Sequence, residues 1–516
     1  MTSLWYRSGI LGRPHAIALL AFLIAQWLLS TLVFAETIII PALSVSEKYD
    51  SNIFFTPKSL LGPDRKPEDF ITTVAPQIIM AHTNSLLGSS LSVGGLVTKY
   101  LHNPSLDFTG YNAAGQLDFT RAANQVSQRI TSFIVRGTYQ FTPASSGFGA
   151  TGSGLGTGTG STFGQGLNSG LVTNRVSTQR YALGVAGGYQ LTRTTILIGT
   201  YDYTKIAFGS QSGGINNPLF DTTGHQGSTT ISTQISARDT VGTTATLSHF
   251  IQEQSGGSSG QGSFTTISET VNWSRLWTQE LTTSLAGGGI FTPPIGSTVP
   301  GQSVKAQVAP TARARVAYSS FSEGLRAAGA SGPFDSLPSL AGSLNPGGVM
   351  APGAYTAALD YTYSLFPGYV FGAGPTNTHL VGATVIGGIT RNLTAQAGIN
   401  FSHGSSSNPV RTFDSAGVTG RLGYIMGPVL VGLTADWLYF SNSTGQSVTQ
   451  SQYEFSKKTI MLSLSYAFTS PGLSFFRMGG FGSSGTQGSG EGISAPSGVG
   501  TGSSPSGGGS GILRKE

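Results

Sequence analysis

Ser248-His249 and Ser402-His403 are the adjacent pairs in which a hydroxyl and an imidazole suggest a hydrolase nucleophile and base. Each pair lies in a stretch of alternating character, where consecutive side chains point to opposite faces of a strand, so neither can close a Ser–His bond. Gly256-Gly257-Ser258-Ser259-Gly260 spells the G-x-S-x-G of a nucleophile elbow. It sits in a low-complexity run and not between a strand and a helix. There is no cysteine, which excludes disulfides, thiolate metal sites and thiol nucleophiles. The 7 histidines show no metal-ligand spacing along the chain. The sequence therefore predicts a protein that is not an enzyme, with no catalytic residue, no metal and no cofactor.

Four charged residues remain worth following, because each shares a face with small or polar neighbours. Arg313 and Arg315 lie opposite Ala312, Ala314, Val316 and Tyr318. Asp202 shares the face of Thr200 and Thr204, and Asp436 that of Thr434. On a barrel wall all four would face the lumen. There the arginines would either draw anionic solutes, such as an acidic polysaccharide, or pair with inward carboxylates and brace the wall.

The elements that must position them are strands. Leu393, Ala395, Ala397, Ile399 and Phe401 alternate with Thr394, Gln396, Gly398, Asn400 and Ser402. Tyr181 to Thr192 and Val429 to Tyr439 repeat this period of two, which puts apolar side chains on one face and small or polar ones on the other. Short polar turns punctuate the chain at Thr192-Arg193-Thr194, Ala237-Arg238-Asp239, Thr278-Gln279, Thr390-Arg391-Asn392 and Gly427-Pro428. Longer Gly/Ser/Pro-rich stretches alternate with them at 143–177, 210–226, 255–261, 292–304, 368–377, 403–413 and 442–449. Sorting of loops by parity is what a transmembrane barrel predicts, with short turns at one end and long loops at the other. Counting back from Phe468 yields an even number, about 18 strands, provided Ala42 to Phe55 is also one. Residues 321–353 break the pattern, as a plug, an excursion at the short-turn end, or a missed hairpin.

Composition agrees with this fold class, an all-β, up-and-down antiparallel transmembrane barrel. Only 10% of residues are charged and 38% hydrophobic, while glycine reaches 74. That suits a wall with one lipid face and one wet face. The net charge of +6 is spread without a basic run, so no nucleic-acid partner is expected. Aromatic residues gather near strand ends at Tyr139 and Phe141, Tyr201 and Tyr203, Trp273 and Trp277, Tyr361 and Tyr363, and Trp437 and Tyr439. Such rings would form interfacial girdles against outer-membrane lipid.

Arg7 and Arg13 precede an apolar stretch from Ala16 to Phe34, and Val33-Phe34-Ala35 makes a small-residue cleavage site. The expected organisation is a signal peptide at 1–35 cleaved after Ala35, a barrel at 36–468, and a disordered Gly/Ser-rich tail at 469–516. The destination is the outer membrane of a Gram-negative bacterium. Thr459 to Phe468 places Ile460, Leu462, Leu464, Tyr466 and Phe468 on one face. It resembles the closing strand that outer-membrane barrels present to their insertion machinery. That strand usually ends the chain, whereas here a tail follows.

Two further elements carry a family resemblance. Val45-Ser46-Glu47-Lys48-Tyr49-Asp50-Ser51-Asn52-Ile53 is followed by Asp69-Phe70-Ile71-Thr72-Thr73-Val74-Ala75-Pro76, then by Tyr100-Leu101-His102-Asn103-Pro104 and Ser127-Gln128-Arg129. These resemble the opening motifs of a family of outer-membrane β-barrel porins found with exopolysaccharide biosynthesis and export loci. Ser51 stands where that family has a second acidic residue. The resemblance implies a barrel throughout, with Glu47, Tyr49, Asp50 and Asn52 in its signature, and exopolysaccharide or export proteins as partners. Read physically, Tyr49 to Asn52 is a strand entering an Asx-type turn that Pro57 stops, and a calcium or sugar contact by Asp50 and Asn52 is the alternative. The expected function is passive: porin-like, or accessory to polysaccharide export, passing or binding a polar solute. A structural or adhesin-like surface barrel and a barrel hydrolase are the alternatives.

Overall fold

A computed structural model describes residues 36–54, 61, 66–145, 176–208, 220–254, 261–293, 306–320, 352–366, 376–407, 410–444 and 453–468. The strands follow in chain order as β1 (Glu36–Asp50), β2 (Asp69–Thr83), β3 (Gly88–Tyr100), β4 (Phe108–Asp118), β5 (Ile130–Ser145) and β6 (Val176–Gln190). Next come β7 (Thr195–Phe208), β8 (Phe220–Gln234), β9 (Asp239–Gln254), β10 (Gln261–Leu276), β11 (Leu281–Thr292) and β12 (Gln307–Ser319). The last six are β13 (Tyr355–Phe366), β14 (Thr376–Gly388), β15 (Leu393–Ser407), β16 (Val410–Met426), β17 (Val429–Thr444) and β18 (Tyr453–Ala467). Each pairs antiparallel with its chain neighbours, and β18 closes on β1, so the 18-stranded sheet has no edge. Closure lets the strands pair their backbone groups within the wall, which is the condition for a sheet to stand in lipid.

Period-two alternation decides which face meets what. On β17, Val429, Val431, Leu433, Trp437 and Tyr439 oppose Met426, Tyr424, Leu422, Val418 and Ala416 of β16, all on the outer surface. Outward residues such as Ile399, Leu433 and Ile460 are 58%, 42% and 54% exposed. In water such a surface would aggregate. Against hydrocarbon each aliphatic side chain gains about 1.5–3 kcal/mol by leaving water. The inner face carries the complement, for example Thr394, Gln396, Gly398, Asn400 and Ser402 on β15.

Four of the short turns share one chemistry. Each begins with a large apolar residue followed by Ser or Thr: Leu191-Thr192, Ile235-Ser236, Trp277-Thr278 and Ile389-Thr390. The hydroxyl oxygen accepts from the backbone N–H groups two and three residues on, at 3.2 and 3.0 Å for Thr192 and 3.1 and 2.9 Å for Ser236. Thr278 and Thr390 do the same. A Ser/Thr turn thus reverses the chain without glycine. At Gly427-Pro428 the reversal does use glycine, with φ +60.

Several boundaries differ from the sequence reading. β1 starts at Glu36 and ends at Asp50, not Ala42 to Phe55, because Ser51 to Phe54 turn inward beneath the rim. β8 begins at Phe220, inside the expected 210–226 loop. β15 and β16 run to Ser407 and from Val410, consuming most of 403–413, because ladder bonding there overrides the Gly/Ser-rich composition. β12 and β13 pair directly, with Ser319 opposite Thr356. Residues 321–351 lie outside the described residues, as do the expected signal peptide and the tail. A short helix, α1 (Thr120–Val126), between β4 and β5 was not anticipated. Asp118 accepts from the Thr120 N–H at 2.9 Å, and Arg121 donates to the Asn84 carbonyl at 2.7 Å, tying it to the β2–β3 turn.

Candidate functional site

The inner wall brings together residues that parity alone could only assign to a face. On β10 to β13, two adjacent inward rows run side by side. One is Asn272, Ala286, Arg313 and Thr362; the other is Ser274, Ser284, Arg315 and Asp360. Arg315 Nε stands 3.4 Å from Asp360 Oδ1, with the two side chains 11% and 13% exposed. Arg315 Nη2, Thr362 Oγ1 and both amide atoms of Asn272 meet no hydrogen-bond partner among the described residues. Buried polar atoms normally find partners. These atoms are buried, so the patch is a dry, incompletely paired polar cluster on the inner wall, with Arg313 in the row beside it. It lies four residues from Ser319, where the chain leaves β12 at the short-turn end.

On β4 to β9, a second inward row reads Gln116, Arg136, Gly184, Asp202, Gln226 and Ser248. Arg136 Nη2 donates to Asp202 Oδ1 at 2.9 Å, reaching across the intervening strand β6. The bridge passes over Gly184. A Cβ there would stand 2.6 Å from Asp202 Oδ1 and 2.7 Å from Arg136 Nε, which is why the position has no side chain. Asp436, also inward, accepts from Thr459 Oγ1 at 3.2 Å. All four sequence candidates lie on the wall face opposite the apolar outer one, and Asp202 and Arg315 each stand beside an oppositely charged side chain. Those partners, Arg136 and Asp360, went unnamed in the sequence reading, although alternation alone puts Arg136 opposite Val135, Gly137 and Tyr139.

The N-terminal motif does not reach the lumen patches. It builds the rim at the long-loop end. Glu47 and Tyr49 face outward, Glu47 accepting from Thr72 Oγ1 at 2.5 Å and Tyr49 packing 5.2 Å from the Phe70 ring. Asp50 turns inward, 2% exposed, held by Lys457 at 2.8 Å and Lys48 at 3.6 Å. It also accepts from the Asn52 N–H at 3.1 Å, the Asx turn expected from Tyr49 to Asn52. Asp69, fully buried, accepts from the N–H groups of His102 and Asn103 and from the Asn103 amide at 2.8 Å. So the spaced motif residues make one knot where β1 meets β18 and where loop 101–107 folds over. Just outside the wall, hydrogen bonds from Lys99 and the Tyr100 N–H hold the Asp107 carboxyl below its ordinary pKa. The closing-strand residues Tyr466 and Phe468 point outward with rings 4.5 Å apart, and the Phe468 N–H donates to Pro41.

Neither Ser–His pair converges. Ser248 and Ser402 face inward, and Ser402 bonds Ser415 at 2.6 Å, while His249 and His403 face outward. Gly256 to Gly260 lie outside the described residues.

A closed barrel with an apolar outer belt, aromatic rims and a polar, ion-paired inner wall defines a membrane-spanning β-barrel. No protein-family model matches the sequence, and no curated protein matches it either. Solved structures similar in shape include Acinetobacter baumannii OccAB3, at 7% identity and TM-score 0.37, covering 83% of this chain and 99% of that one. Pseudomonas aeruginosa OccK9 (OpdG) is similar at 10% identity and TM-score 0.37, covering 83% and 98%. Pseudomonas aeruginosa OprD matches at 9% and 0.36, covering 83% and 95%.

Proposed function

We propose that this chain is an outer-membrane channel of a Gram-negative bacterium that passes or holds a polar solute without chemistry. The supporting observation is the inner wall: a closed 18-stranded barrel whose β10–β13 inner face carries Arg313, Arg315, Asp360 and Asn272. Barrels of 16–18 strands are wide enough for an aqueous lumen. Arginine side chains on an inner wall favour an anionic solute over a cationic one. The polysaccharide context is supported by the resemblance of motifs within residues 45–129 alone, and glycosyltransferase and export genes beside this one would strengthen it.

Planar-bilayer recording tests the reading. Folded protein, identified by heat-modifiable gel migration, is expected to conduct and to prefer anions in a salt gradient. Absence of current from folded protein removes the channel and leaves the scaffold or adhesin alternative. Cation preference removes the role given to the arginines.

A further inference from the structure

Four of the histidines, spread between β8 and β15, are brought into two matching pairs on the outer wall. His225 of β8 stands directly opposite His249 of β9, and His379 of β14 directly opposite His403 of β15. In each case a tyrosine completes the row, Tyr203 opposite His225 and Tyr363 opposite His379. The ring of Tyr203 lies 5.2 Å from His225, and that of Tyr363 lies 4.5 Å from His379. All four sit on the strand halves toward the long loops, among the outer aromatic residues.

The same ring nitrogen is engaged in every one. His225 Nδ1 is 2.8 Å from the Tyr201 hydroxyl, and His249 Nδ1 is 3.0 Å from Thr265 Oγ1. His379 Nδ1 is 3.1 Å from the Tyr361 hydroxyl, and His403 Nδ1 is 2.8 Å from Asp414 Oδ1. Among the described residues, none of the four bonds uses Nε2. A histidine whose Nδ1–H donates to a carboxylate or hydroxyl oxygen has its lone pair on Nε2 and its ring orientation set, the arrangement found behind metal-ligating histidines. Directly opposite side chains on neighbouring strands start about 4.5–5.5 Å apart at Cβ, close enough for both rings to reach one ion. The His379 and His403 ring centroids are 6.4 Å apart.

We propose that each pair chelates one divalent ion of borderline softness, of the Zn2+ kind, through its two Nε2 atoms. Imidazole suits Zn2+, Cu2+ and Ni2+ and not the oxygen-seeking Ca2+ or Mg2+. Among the described residues no three His, Asp or Glu side chains converge on one point, so water or a lipid oxygen completes each shell. The ion places positive charge on the wall at the height where headgroups begin. Asp414 is the positioning residue for the β14–β15 site, and Thr265 takes that place in the β8–β9 site.

Zn2+ titration calorimetry on the tag-free, chelator-treated full chain, refolded in detergent, tests this. Two ions per chain are expected. His379→Ala should leave one, and His225→Ala combined with His379→Ala should leave none. Asp414→Asn should weaken one of the two sites 10–100-fold and spare the other, which a merely structural role would not do. Glutamine at the same histidines reads identically should an alanine variant fail to fold. Zero uptake by the native chain overturns the proposal, as does uptake that survives the double variant; a wall whose ion persists without its own histidine loses its assignment.

Discussion

The two ion pairs of the inner wall are built on different plans. Arg136 and Asp202 lie on strands that do not touch; they reach over β6, meet at 2.9 Å, and remain 26% and 19% exposed. Arg315 and Asp360 stand directly opposite on paired strands, yet meet only at 3.4 Å and are 11% and 13% exposed. The first pair closes a real hydrogen bond over a glycine and leaves little for a ligand to add. The second is dry and poorly satisfied, with Arg315 Nη2 lacking a partner among the described residues. A buried charge pair of that kind is a weak source of stability, because desolvation consumes most of its attraction. The contrast teaches that one pair is a strut across the wall; under the proposed function the other marks the face that a polar solute would meet.

Breaking the drier pair should cost most. Asp360→Ala strands the Arg315 guanidinium, and a loss on the order of 3 kcal/mol is expected in guanidinium-induced unfolding followed by tryptophan fluorescence. A loss near zero would mean that lumen water already solvates Arg315, and the contrast would collapse.

Gly184→Val attacks the strut through its clearance and should cost about 1–3 kcal/mol by overpacking. Gly199→Ala is the internal control, since a Cβ there meets nothing within 4 Å. Equal effects at the two glycines would refute the clearance argument.

Asp202→Asn is the mildest change. The pair is partly exposed to the lumen, so about 1 kcal/mol or less is expected. Its clearer signature should be a small shift of reversal potential toward anions. If Asp202→Asn moved selectivity more than Asp360→Ala, the assignment of strut and solute site would be exchanged.

Much of this wall was legible before any coordinates. Alternation through Leu393 to Ser402 and Val429 to Tyr439 needed only the pleat, which sends neighbours to opposite faces. The turns at Thr192, Ala237, Thr278 and Thr390 were legible as short polar breaks between alternating segments, while the Ser and Thr hydroxyls that cap them emerged only with the structure. The facing of the histidines was hidden along the chain for an instructive reason. His225 and His249 are 24 residues apart, as are His379 and His403, and the midpoint of each interval is a turn already recognised, at Ala237 and Arg391. Spacing along the chain looked random for a metal. Folding each hairpin about its turn makes the pairs face each other.

What the sequence determined by itself was the class of wall: strands with an apolar and a polar face, the sorting of short and long connections, and an even count closed by Thr459 to Phe468. These follow from local rules of pleat and turn, and each residue obeys them with its near neighbours. The tertiary structure decided which charges meet. Arg136 finds Asp202 across 66 residues and Asp50 finds Lys457 at the closing seam, because register and closure, not spacing, bring those strands together. The barrel's parity was written in the chain; its pairings were written only in the closed ladder.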